Sequence, residues 1–330
     1  MGHQVMKGMI LVTGATGLVG FSIVKKLVER GHAVRAIVRD ISRAKAALDS
    51  SVDIVAGDVT DRASLERAAV GVGSIFHAAG LPEQWVRDEA LFEQVNTVGT
   101  ANLLAVAQKA GVERFVYTST MDVFDAQPGG TLAEDRPATG SKPTAYERSK
   151  MAAQALVQDA QAKGLSTVHL NPSAVYGPSP SCTALNKLIV DVLNRKVPLL
   201  PPLGIPYVHA DGVAQAHIQA WEHAPDGARY LLSDGYTSYR ELGEHVAKIA
   251  GHGRVPPVAP LWLLKGVVGL TSPLGDWFGL RPPMSRGELA FLQWDVRVDA
   301  SKAQRELNFQ PTALDAGLTE TVKYFTDSAR

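Results

Sequence analysis

The sequence predicts an α/β protein: a doubly wound parallel sheet followed by a smaller, mostly helical C-terminal part. Three observations predict it. Short apolar β-rich runs alternate with amphipathic helical stretches from residue 9 to about 176. A glycine-rich turn, "TGATGLVG", joins the first strand to the first helix. The alternation then breaks after Gly177, where prolines and helical patterns take over. Strands alternating with helices argue for a parallel sheet covered on both faces.

In order, Met9–Val12 is a strand, and Leu18, Val19, Ile23, Val24, Leu27 and Val28 recur at helical spacing. Gly31 stops that helix, and "HAVRAIV" is the second strand. "VDIVAGDV" is a strand and "DRASLERAAVG" a helix that Asp61 is placed to cap. "VGSIFHAAG" is a strand, "LFEQVNTVGTANLLAVAQKAG" a long helix, and "VERFVYTST" a strand. "AYERSKMAAQALVQDAQAKG" is a helix and "LSTVHLNPSAVYG" a strand. Beyond it come one helix between proline-rich loops, then strand, helix and strand again over about 206–235, then mostly helices. The expected division is a dinucleotide-binding domain over 1–176, rejoined at about 206–235. A substrate domain takes 177–205 and 236–330.

The chain has 330 residues, 45 % hydrophobic and 20 % charged, with Lys+Arg and Asp+Glu both 33. No basic stripe points to nucleic acid. The lone Cys182 cannot pair internally. No signal peptide is expected, and Met6 stands against a myristoylation motif at Gly2. A cytoplasmic location fits. The stretch 261–280 holds Lys265, Pro273, Asp276 and four glycines, so a helix or lid of the substrate domain, or an interfacial surface, is expected rather than a span.

In "TGATGLVG", glycines stand at 14, 17 and 20, after a strand and opening a helix. That context marks a Rossmann dinucleotide site: Gly14 lets the chain reverse, Gly17 lets backbone approach a pyrophosphate, and Gly20 lets helix lie on strand. Thr16, Leu18 and Val19 go with this turn. At the end of the second strand an acid favours NAD(H) and an arginine NADP(H). Arg39 holds that position and Asp40 follows one residue late, so NADP(H) is preferred and NAD(H) stays open. Asp58 with Val59 ends the third strand, where a carboxylate either accepts from the adenine amino group or serves as a helix cap. No metal site is expected. His209 and Asp211 have HxD spacing, but a helix start explains them.

Tyr146 and Lys150 are four apart and share a helix face. An ammonium near a phenol is expected to lower its pKa and ready it for proton transfer. "YTST" closes the fifth strand, and Thr120 is the chosen hydroxyl donor, with Ser119 and Thr118 as fallbacks.

These motifs, with "GDVTD", "FHAAG", "VNTVGTANLL", "RFVYTST", "YERSK", "LNPSAVYGP", "YVHADGVAQAH" and the tail "VDASKAQRELNFQPT", resemble the extended short-chain dehydrogenase/reductases. The nearest branch is that of dihydroflavonol reductases and 3β-hydroxysteroid dehydrogenases, beside nucleotide-sugar epimerases. The resemblance implies Thr120, Tyr146 and Lys150 as the catalytic set. It implies Ala78, Ala79, Thr118, Pro172 and Val175 around the cofactor, and Asn96 close by. It also implies a homodimer through helices 90–110 and 146–163. Asn171 departs from the arginine common before that proline. The segment 178–206 carries only Lys187, Arg195 and Lys196 as bases, and Leu81, Gln84 and Trp85 are apolar or uncharged. The expected reaction is therefore NADP(H)-dependent reduction of a ketone, or oxidation of the alcohol, on a largely apolar or polycyclic small molecule. The alternatives are a nucleotide-sugar epimerase or dehydratase with tightly bound NAD and, less favoured, a 3β-hydroxysteroid-type dehydrogenase/isomerase. A cofactor-sensing regulator is disfavoured because Tyr146 and Lys150 are both kept.

Overall fold

The computed structural model of the chain describes residues 8–182, 184–252 and 254–327; the Gly2 and Met6 reading lies outside them. The chain runs β1 (Met9–Thr13), α1 (Leu18–Glu29), β2 (Val34–Val38), α2 (Ile41–Ala47), β3 (Asp53–Ala56), α3 (Arg62–Ala68) and β4 (Val72–His77). There follow α4 (Ala90–Phe92), a π-helical turn at Glu93–Val98, α5 (Gly99–Ala110), β5 (Arg114–Thr118), β6 (Thr131–Leu132), α6 (Ala145–Ala162) and β7 (Thr167–Pro172). Next come β8 (Ala174–Tyr176), α7 (Ala184–Leu193), β9 (Gly204–His209), α8 (Ala210–His223), β10 (Arg229–Leu232), β11 (Gly235–Ser238) and α9 (Tyr239–Ile249). The chain closes with α10 (Leu261–Phe278), α11 (Arg286–Trp294), β12 (Arg297–Val298), α12 (Ser301–Leu307) and α13 (Leu314–Asp327).

Seven strands form one parallel sheet in the order β10-β7-β5-β4-β1-β2-β3. Alternation along β1 sends Ile10 and Val12 to one face and Leu11 to the other. The first face packs on Ile23 and Leu27 of α1 and on Val213 and Trp221 of α8. The second packs on Leu65 of α3, Leu103 and Leu104 of α5 and Val157 of α6. Both faces are dry, which is why these strands read as continuous apolar runs. The strand order reverses between β1 and β4, and the strand C-termini there open the crevice where such sheets bind ligands.

Two segments differ from the expected reading. "LSTVHLNPSAVYG" is two strands: β7 ends at Pro172 in the large sheet, and β8 joins a separate three-stranded sheet, β11-β9-β8. "IPYVH" is a strand, β9, but of that small sheet; the return to the large sheet is made by α8 and β10. A third apolar cluster, including Tyr176, Ile189, Tyr207, Leu242, Val246 and Leu318, binds the small sheet to α7, α9 and α13. The 261–280 stretch is helix α10, and no helix of the described residues is long and apolar enough to cross a membrane.

Candidate active site

The turn after β1 is shaped by contacts that exclude side chains. Gly14 has φ +70°, and a Cβ there would stand 2.6 Å from Ala79 N and 2.7 Å from the Ala78 carbonyl. A Cβ on Gly20 would lie 2.2 Å from Gly14 O. Helix α1 can therefore lie directly on the turn. Gly17 caps α1 with no side-chain hydrogen bond, leaving first-turn N–H groups free. Free N–H groups at a positive helix end suit a pyrophosphate. The residues present thus fit a dinucleotide.

Arg39 is exposed at the end of β2. The Asp40 carboxylate is engaged as the cap of α2, accepting from Arg43 N at 2.9 Å. The Asp58 carboxylate accepts from Thr60 N at 2.8 Å and Thr60 Oγ1 at 2.7 Å, and Asp61 caps α3 as expected. Val59 is buried and packs against Gly99 of α5. Half-buried Thr16 sits within the glycine turn.

A cavity of about 450 Å³ opens from this turn across the ends of β4 and β5. Its walls bring together Gly17, Leu18, Val19, Ala78, Ala79, Thr118, Thr120, Tyr146, Lys150, Pro172 and Val175. Gly14, Thr16, Arg39, Asp58 and Val59 lie outside the cavity wall, along the rim from β1 to β3.

Each chemical side chain is held by its element. Helix α6 starts with a capping box, in which Thr144 Oγ1 accepts from Glu147 N and Glu147 accepts from Thr144 N. That fixes Tyr146 in the first turn, with its ring edge-on to Phe92. Lys150, one turn on, is buried; its Nζ donates to Thr118 O at 2.9 Å and lies 4.8 Å from the Tyr117 ring centre. Thr118 Oγ1 is 2.8 Å from His217 Nε2. Ser119, also in the cavity wall, donates to Gln154 Oε1 at 2.8 Å. Thr120 Oγ1 donates to Asp122 Oδ2 at 2.6 Å, and Asn171 Nδ2 donates to Thr120 O at 2.9 Å. Asn171 thus braces the strand end.

Asn96 accepts from Leu81 N and donates to Leu81 O and Ser149 Oγ, so its amide clamps the loop beside the cavity. His77, buried between Thr13 and Thr100 hydroxyls, is structural, and burial holds it neutral with a pKa of about 3. His209 opens α8, and Asp211 pairs with Lys26 at 2.7 Å.

The electrostatics correct one expectation. The Tyr146 phenol is not acidified by Lys150. Burial pushes its pKa well above 10, the Asp122 and Glu83 carboxylates push it further, and the Thr120 hydroxyl opposes them. Lys150 points to Thr118 O instead, and burial draws its own pKa down to about 8 against the pull of Asp122. Burial also lifts Asp122 to about 6 and Glu83 to about 7. The sequence reading missed Glu83, Tyr239, Glu288 and Phe291 as cavity residues. Only Glu83 had a signal, its place just after the "FHAAG" strand end; the others arrive from distant helices.

The NAD dependent epimerase/dehydratase family model matches residues 10–232. A putative dihydroflavonol 4-reductase of Synechocystis sp. is 30 % identical over 97 % of this chain and 95 % of its own length. Sterol demethylase protein B of Methylococcus capsulatus is 31 % identical over 96 % and 98 %. A 3 beta-hydroxysteroid dehydrogenase/Delta 5-->4-isomerase of Mycobacterium tuberculosis is 31 % identical over 96 % and 90 %. Among solved structures, gox2253 superposes with TM-score 0.82 at 29 % identity, covering 98 % of this chain and 99 % of that one. UDP-glucose 4-epimerase of Thermotoga maritima gives TM-score 0.76 at 22 % identity, covering 98 % and 100 %, and shows the shared fold. The chain belongs to the NAD dependent epimerase/dehydratase family, among the extended short-chain dehydrogenase/reductase enzymes that act on small organic substrates with a dinucleotide cofactor.

Proposed function

We propose that the protein reduces a ketone on a largely apolar small molecule, or oxidises the matching secondary alcohol, with NADP(H) preferred, as in the dihydroflavonol reductase and 3β-hydroxysteroid dehydrogenase branch. The observation that carries this reading is the chemistry of the cavity's outer half. Leu81, Met121, Leu185, Leu188, Ile205 and Phe291 line it, and the charged groups beside them are the acids Glu83, Asp122 and Glu288. Lys150 is the single base among the cavity-lining residues. A diphosphate would meet carboxylates there rather than arginine forks, which is repulsive.

When bound, the nicotinamide dinucleotide supplies or takes up the hydride. Thr120, with its hydroxyl turned from Asp122, and Tyr146 would hold the substrate oxygen between them. Tyr146, protonated throughout the neutral range, would donate its proton to that oxygen as the ketone is reduced. Lys150 would swing from Thr118 O to favour the phenolate once the proton has left. NADP(H) preference rests on Arg39, exposed at the strand end, while Asp40 is committed to capping α2.

A second reading has the family match and the solved epimerases behind it: a nucleotide-sugar epimerase or dehydratase that keeps NAD tightly bound. The same Tyr146 would move the sugar hydroxyl proton. A third, a 3β-hydroxysteroid-type dehydrogenase/isomerase, is kept by the mycobacterial relative.

One set of measurements separates the first two. Fluorescence titration with NADPH and NADH gives the cofactor, and net NADPH consumption against apolar ketones gives the reaction. Preference for NADPH with net turnover supports the proposal. Co-purified NAD with UDP-sugar interconversion and no net cofactor oxidation overturns it in favour of the second reading. Tyr146→Phe is expected to cut kcat by about 10²–10⁴-fold with cofactor affinity retained; wild-type turnover in that variant would remove Tyr146 from the chemistry.

A further inference from the structure

Helix α10 is apolar almost all round, yet it packs on the protein with one side only. Val268 and Gly275 face inward, while Trp262, Leu270, Leu274, Trp277 and Phe278 are 73, 75, 54, 84 and 65 % exposed. Leu280, just past the helix, is 67 % exposed. These six are half of the twelve large apolar residues exposed among the described residues. Positions 262, 266, 270, 274, 277 and 278 recur at helical spacing and so share one face. Nothing crowds that face at Gly266 or Gly269, and Trp277 and Phe278 stack on each other with planes 13° apart.

Water gives this helix little reason to form. Gly266, Gly269 and Gly275 each cost about 1 kcal/mol relative to alanine, and Pro273 about 3. Its outer apolar face recovers none of that in water; an apolar surrounding would. The nearby charge says which surrounding. From 261 to 286 the chain carries Lys265, Arg281 and Arg286 against one acid, Asp276. Arg87 adds a guanidinium beside Gly279, and Arg281 is only loosely paired with Glu288 at 3.8 Å. The two tryptophans stand near opposite ends of the helix, and their rings suit the headgroup level of a bilayer.

We propose that α10 is an in-plane membrane anchor whose outer face lies at the headgroup–acyl boundary of a bilayer containing anionic lipid. Arg87, Lys265 and Arg281 then meet the lipid phosphates. The helix, about 27 Å long, lies along the surface and does not span it. It packs on α11, which carries Glu288 and Phe291 of the cavity wall, so the anchor sits one helix from the site. The inference rests on the exposed face and its charges and does not require the substrate reading.

The test is flotation of the full chain with vesicles of phosphatidylcholine alone and of phosphatidylcholine with phosphatidylglycerol. Binding is expected to the anionic vesicles, weakening as salt is raised, with tryptophan emission shifted to the blue. The double variant Leu270→Glu, Trp277→Glu should lose partitioning by about tenfold or more, with thermal stability unchanged because both side chains face outward. Failure to float with either vesicle overturns the proposal, as does equal binding to both or undiminished binding by the variant. A dimer mass that the variant halves, with no vesicle binding, would assign the face to a second copy and overturn it too.

Discussion

The Thr120–Asp122 pair sets the chemistry of the site at the level of single side chains. Thr120 donates a hydrogen bond to Asp122, and the Asp122 charge opposes ionisation of Tyr146. Asp122→Asn removes that charge while keeping an acceptor for Thr120. The Tyr146 pKa should fall, so the pH profile of kcat/KM for alcohol oxidation should move to lower pH. An unmoved profile would show that the phenol does not govern the step. The sequence named Thr120, Tyr146 and Lys150 because motif and spacing are local. It could not show where Lys150 points, because Thr118 O is reached only when α6 folds over the end of β5. Nor could it show the net charge around the phenol, since Glu83 and Asp122 come from two different strand ends.

Among elements, the β1–α1 turn was the most legible. Its glycines answer to backbone contacts made within a few residues of one another. Gly20 shows how strict that is. Alanine in a helix normally stabilises by about 0.5–1 kcal/mol relative to glycine. Here its Cβ would stand 2.2 Å from Gly14 O, a backbone atom that cannot swing aside. Gly20→Ala should therefore destabilise by about 2–4 kcal/mol and abolish dinucleotide binding; thermal melts with and without NADPH would show both losses. Least legible was the run "VHLNPSAVY". Its apolar pattern is unbroken across Ser173, yet Leu170 lies in the large sheet and Val175 in the small one. Partner choice decides that split, and the partners β9 and β10 lie tens of residues downstream. Asp58 shows the same limit on a smaller scale: its carboxylate accepts from Thr60, two residues away, a contact that spacing alone did not reveal.

At the scale of the molecule, the cavity joins both parts of the chain, and its acids weigh on global stability. Burial raises Glu83 to about 7 from an ordinary 4.5, opposed by the Thr144 hydroxyl and reinforced by the Asp122, Glu147 and Glu288 charges. A carboxyl raised on folding favours the native state when protonated. That contribution is full below about pH 4.5 and is lost as pH rises through 7. Glu83→Gln should therefore raise stability at pH 8 by about 1–3 kcal/mol and leave it little changed at pH 4.5, as read by urea titration at both values. The overall α/β architecture was readable because it rests on short-range periodicity. The outer cavity was not, because Tyr239, Glu288 and Phe291 reach it from helices that carry no motif. The homodimer expected through helices 90–110 and 146–163 would use a face on which Leu91 and Val98 are exposed.

The wall that Phe291 completes begins at Gly17, so the recess is assembled from nearly the whole length of the polypeptide. During synthesis from the N-terminus the nucleotide half is complete once α8 and β10 have emerged, while the outer half stays an open cleft until α11 has left the ribosome. A nascent chain would thus be able to hold its coenzyme well before it could hold anything for that coenzyme to act upon.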